Sequence, residues 1–144
     1  MQNDYIMRTV EQFMQALITI IRKRTEGNCK EAIEDIKKAS RYYLRTDIDI
    51  LLLTHTPDQI SEQFTDNMDT EGCVLFADLL YELALTYQFQ NLEKESNRIK
   101  MICLQLYTIE IPKKLKFQSS QYFQKIDHLT QELKILSLSE ETLE

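Results

Sequence analysis

The segment Gly27-Asn28-Cys29-Lys30-Glu31-Ala32-Ile33-Glu34-Asp35-Ile36-Lys37-Lys38-Ala39 narrows the folds open to this chain more than any other. A glycine closes one helix, and the helix that follows sets Ala32 and Ala39 two turns apart on one face. Small side chains at that spacing let two helix backbones approach closely, as a tight antiparallel hairpin requires. A related pattern returns as Ala84, Tyr87, Asn91 and Ser96. The chain has only two glycines and two prolines in 144 residues, too few for the turns of a β-rich domain. An all-α domain of five to six helices is therefore expected, stacked as hairpins around an irregular acidic insert. With 43% hydrophobic residues it has enough apolar surface for one core.

Helical periodicity places the elements. The first helix is expected from about Asp4 to Arg24, capped by Asn3 or Asp4. Its apolar residues, Met7, Val10, Phe13, Met14, Leu17, Ile18 and Ile21 among them, cover roughly 200° of the wheel, wider than a one-sided surface helix needs. Such a helix is buried between layers or carries a face for a partner. The second is expected to run to about Arg45, with Ala32, Ile36, Ala39 and Tyr43 inward. Asp47 to Asp69 is the least regular stretch. There Thr56-Pro57 announces a short helix with threonine as cap, Ile60 and Phe64 form its buried side, and Thr65 to Asp69 reads as loop. The most apolar helix, from about Thr70 or Gly72 to Phe89, should be central. The fifth is expected to end near Glu110, with Pro112 as its stop. A sixth, from about Phe117, carries Tyr122, Ile126, Leu129 and Leu133 at helical spacing. The domain is expected over 1–136 and a frayed tail over 137–144.

Charge is unevenly distributed. Residues 1–45 hold nine basic and six acidic side chains, whereas 46–93 hold ten acidic and no basic ones. An acidic middle argues against nucleic acid as a partner, which needs a basic footprint. It also raises the reading that the acidic middle docks on the basic start, within the chain or across a dimer. The longest apolar run is too short for a membrane span, so no membrane partner is expected. The three cysteines, Cys29, Cys73 and Cys103, cannot all pair within one chain, and reduced thiols in a cytoplasmic protein fit best.

Constellations that carry chemistry are weak. Asn67-x-Asp69-x-Glu71-Gly72 followed by Asp78 mimics a calcium loop, with an asparagine first and an aspartate too short for the final bidentate position. It reads better as an acidic helix N-terminus. His55 and His128 lack partners at ligand spacing, no cysteine sits in a catalytic context, and a phosphate loop would need more glycine. No catalytic residue, metal ligand or cofactor is assigned, and the expectation is that the chain is not an enzyme.

Both hairpins resemble tetratricopeptide repeats (TPR). Gly27, Ala32 and Ala39 match that repeat's turn glycine and its two small positions, and Asn91, Ser96 and Cys103 take those places in a second unit. The match is degenerate: Ile20 and Lys23 stand where the first unit should have a small and an aromatic residue. The two units are also offset by 64 residues (Ala32 to Ser96), where adjacent repeats differ by about 34. The chain further resembles an uncharacterised bacterial family that opens on Asn-Asp-Tyr-Ile-x-Arg, here Asn3 to Arg8, and continues into a Gly-Asn-x-x-Glu-Ala hairpin, here Gly27 to Ala32. That resemblance implies a TPR-like fold and no established activity. The repeat's spacing implies a groove lined by Met14, Leu17, Ile21 and Arg24 from one unit and Asp78, Tyr81, Leu85 and Gln88 from the other. The expected function is a non-catalytic interaction or scaffold module for a protein or peptide, or for its own copy as a homodimer through the first helix. A ligand- or metal-responsive sensor built on 46–93 is the alternative.

Overall fold

A computed structural model describes residues 2–115 and 127–133. Every regular element among them is helical. Helix α1 spans Gln2–Thr25 and α2 spans Cys29–Leu44; α3 (Ile48–Thr54) and α4 (Pro57–Glu62) follow, then a 3-10 turn over Phe64–Asn67. Helix α5 is Thr70–Phe89 and α6 is Glu93–Gln105; a π turn over Leu106–Glu110 carries α6 into α7 (Ile111–Lys114). Residues 127–133 form a further helical stretch. The all-α class expected from glycine and proline scarcity holds, with seven helices before that stretch in place of five or six.

Two hairpins form the frame. Between α1 and α2, Gly27 takes φ +86°, a left-handed conformation that glycine adopts without steric cost. Lys23 Nζ then meets Asp35 Oδ2 at 2.6 Å, while the rings of Phe13 and Tyr43 pack edge-on at 5.4 Å, so the helices run antiparallel. The second hairpin joins α5 to α6 through Asn91, also left-handed at φ +63°. Here Ser96 Oγ donates to the Ala84 carbonyl at 2.7 Å. Helix α5 packs on α2 as well as α6 and touches α1 and α7. Its all-round apolar character has a direct cause in that position. Cys73, Phe76, Ala77, Leu79, Leu80, Leu83 and Ala84 are all buried.

The structure changes several expectations. Helix α1 begins at Gln2, so Asn3 and Asp4 lie within its first turn and not before it. The insert is not irregular. Asp47 caps α3 by accepting from the Ile50 N–H at 3.2 Å. Thr56 and Gln59 form a reciprocal capping box on α4, with Pro57 at the start of the helix. Ile48, Leu51 and Ile60 are buried, so these short helices are a packed layer. Part of the segment read as loop, residues 65–67, belongs to the 3-10 turn over Phe64–Asn67. Pro112 does not stop the fifth helix. The π turn bonds the Ile111 N–H to the Leu106 carbonyl, widening the helix just before the proline, and the helix continues to Lys114. Tyr122, Ile126 and the tail 137–144 lie outside the described residues.

Candidate functional site

The eight residues that repeat spacing assigns to a groove fall on one face of α1 and one of α5. Leu17 is 8% exposed and belongs to the core, and Ile21 packs against that core half-buried. Met14 is 44% exposed. Arg24 reaches across to α5: its Nε lies 2.9 Å from Glu82 Oε2, with both side chains largely buried. On α5, Asp78 Oδ1 accepts from the Tyr107 hydroxyl at 2.6 Å, Tyr81 is half-buried against the core, and Leu85 is half-buried. Gln88 Oε1 accepts from Lys100 Nζ at 2.8 Å. The Arg24–Glu82 pair ties the C-terminal end of the α1 set to α5, whereas Met14 faces solvent.

Four residues outside those eight lie in this region. Lys100 is only 1% exposed. Its ammonium lies 2.5 Å from Glu132 Oε2, on the 127–133 stretch, and Leu129 of that stretch is fully buried in the core. His128 Nε2 sits 2.8 Å from Glu132 Oε1, one turn away. The 127–133 stretch therefore meets α6 at Lys100, and its Glu132 carboxylate lies close enough to act on the Tyr81 hydroxyl of α5. A signal for Lys100 was present in the sequence: it falls between Ser96 and Cys103 on the inward face of α6, an odd place for a cation.

Burial dominates the electrostatics. It pushes the Tyr81 phenol up to about 12, with the Glu132 and Glu82 carboxylates adding to the shift. Burial also raises Tyr107 well above its ordinary value, reinforced by the Asp78 carboxylate that accepts a hydrogen bond from its hydroxyl. Burial lifts the Cys73 thiol to about 11, so thiolate is scarce there at neutral pH. Tyr43 and Tyr87 are raised for the same reason. The folded chain therefore keeps protons that the unfolded chain gives up from pH 9–10 upward. With fewer protons bound in the unfolded state, stability falls as pH rises, between about 9 and 12. Each such group adds at most about 1.4 kcal/mol per pH unit. Urea unfolding at pH 8, 9, 10 and 11 should show the midpoint dropping above pH 9; a flat profile would mean these side chains are not shielded.

The acidic middle is largely engaged in the fold. Asp47 and Asp69 cap helices, and the Gly72 N–H bonds Asp69 Oδ1 at 2.7 Å, so close that a Cβ on Gly72 would stand 2.9 Å from that oxygen. Asp49 pairs with Lys37 at 2.9 Å and Asp58 accepts from Gln105 at 2.8 Å. The Lys37–Asp49 and Arg24–Glu82 pairs join the basic start to the acidic middle within one chain. Asp69 and Asp78 of the calcium-like string are thus in structural bonds. Among the described residues, no three His, Cys, Asp or Glu side chains are grouped to hold a metal ion. No helix among them is long and apolar enough to cross a membrane. Compared with known protein families, characterised proteins and solved structures, the chain matches none.

Proposed function

We propose that this chain is a non-catalytic helical interaction module of TPR-like build, which binds protein segments and self-associates through α1. The α1/α2 and α5/α6 hairpins, with α2 packed on α5, support the repeat-like reading. The observation that carries self-association is the outer face of α1. Met7, Met14 and Ile18 are 60%, 44% and 53% exposed, although Phe13, Leu17 and Ile20 already bury the helix's other side. These three fall at i, i+7 and i+11, one continuous stripe along three turns. Apolar stripes of this kind mark association surfaces, and a two-fold pairing would bury the same stripe on both copies. The engagement of Asp47, Asp49, Asp58, Asp69 and Asp78 within the fold supports this reading over the sensor built on 46–93.

Sedimentation equilibrium from low to high micromolar protein tests the proposal. A concentration-dependent dimer is expected, and Met7→Glu with Ile18→Glu should convert it to monomer without lowering helicity. A wild-type chain that stays monomeric throughout, or a dimer indifferent to both glutamates, removes α1 as the interface.

A further inference from the structure

We infer that two copies of this chain pair through α1 in antiparallel register about a two-fold axis near position 16, with Met14 against the partner's Ile18 and Glu11 against the partner's Arg22. This deepens the reading of α1 as the self-association surface and rests on it. The exposed face of α1 carries more than its apolar stripe. Along one edge of Met7, Met14 and Ile18 stand Arg8, Glu11, Arg22 and Glu26, all exposed. Glu26 follows the last residue of α1 but keeps the helical path, its N–H bonding the Arg22 carbonyl at 3.0 Å. Along the other edge Val10 and Ile21 are half-buried. The charged edge reads plus, minus, plus, minus from Arg8 to Glu26. A copy running the opposite way therefore offers the opposite sign at each place. Residues at closely similar distances on either side of position 16 are matched in kind: Val10 with Ile21, Met14 with Ile18, Glu11 with Arg22 and Arg8 with Glu26.

These charges are not engaged within the fold. Among the described residues none of the four forms an ion pair, not even Arg8 with Glu11 or Arg22 with Glu26 one turn away. Glu11 and Arg22 stand roughly 16 Å apart along one helix, too far to meet in the same chain. The helix dipole accounts for Arg22, since cations are favoured in a last turn, but it leaves Glu26 at the unfavourable end. The partner's Arg8 supplies the missing counter-charge. A parallel pair would set Glu11 on the partner's Glu11 and Arg22 on the partner's Arg22, like charges beside an apolar seam. The antiparallel pair removes both contacts. Two-fold symmetry then makes each match twice, because a contact from one copy implies its mirror from the other. Met14, Ile18 and the residues beside them supply affinity, and the charged edge fixes direction and register.

Sedimentation equilibrium on the full-length chain in about 50 mM salt, where surface charges are little screened, tests the arrangement. Glu11→Arg alone and Arg22→Glu alone each create two like-charge contacts, and each should weaken the dimer about tenfold. Mixed in equal amounts, the two variants should dimerise with each other at close to the wild-type affinity, because every contact regains opposite signs. The chain carrying both exchanges should recover in the same way. Mixing cannot repair a misfolded chain, so recovery separates the charge effect from damage to the fold. In about 0.5 M salt the differences should largely vanish. Single variants that dimerise as well as the wild type, as a parallel pair would allow, overturn the inference. So does a loss that neither mixing nor the double exchange restores. A dimer broken by Met7→Glu with Ile18→Glu but indifferent to these reversals keeps α1 as the interface and loses the register alone. A wild-type chain that never dimerises defeats the self-association reading itself, and the register with it.

Discussion

Phe76→Ala is expected to lower the unfolding free energy by about 3–5 kcal/mol, the range for deleting a fully buried aromatic ring. Phe76 is fully buried in the middle of α5, and its ring lies 5.2 Å from that of Phe64 in the 3-10 turn, tilted by 52°. Removal both loses the transfer energy of the ring and leaves a void that rigid helices on several sides cannot fill. A domain of this size holds roughly 5–15 kcal/mol in all, so the variant should sit near its unfolding threshold. In urea the midpoint should fall by about 2 M with little change in slope. Phe64→Ala, which removes only a half-buried ring, should cost less, about 1–2 kcal/mol. That second value bears on function. If the insert is a packed layer, Phe64→Ala destabilises the whole domain in one transition. If the insert moves independently, as a sensor would need, Phe64→Ala shifts only a separate early transition and leaves the main one in place.

The frame of the molecule was legible because its long helices follow simple rules. Gly27, Ala32 and Ala39 located the first hairpin, Thr56-Pro57 located the α4 cap, and the apolar run from Val74 to Leu85 identified the central helix. The misreadings arose where local signals and tertiary context disagree. Leu51, Leu52 and Leu53 form a continuous apolar run with no helical period, so α3 looked irregular, and only packing shows that Leu51 is inside while Leu53 is outside. Pro112 is a valid stop signal for an α-helix, but the preceding π turn removes the conflict that makes it one. Lys100 and Glu132 could not be joined from sequence, because a buried ion pair between residues on separate elements leaves no local mark. Of the eight proposed groove residues, Arg24 and Gln88 gained partners, Glu82 and Lys100, that no spacing rule identifies.

Ser96→Leu should destabilise the chain by about 2–4 kcal/mol, and Ser96→Ala by only about 0.5–1.5. Ser96 is buried at the crossing of α5 and α6, and its hydroxyl donates to the Ala84 carbonyl at 2.7 Å. The helix backbones are therefore close enough there for a side chain of one to reach the main chain of the other. Alanine forfeits that hydrogen bond but fits the space. Leucine forfeits the bond and must also place a branched side chain where a hydroxyl now touches backbone, forcing the hairpin apart. Comparable losses for the two variants would show that the close approach is absent and the small-residue reading of this hairpin wrong. The consequence extends to the buried ion pair, because Lys100 lies one turn beyond Ser96 on the same face of α6. A hairpin splayed at Ser96 would carry Lys100 away from Gln88 and Glu132, so Ser96→Leu should also speed amide exchange in 129–133 under conditions where the domain remains folded. Ser96→Ala should leave that exchange unchanged, which separates the geometry of the crossing from simple loss of stability.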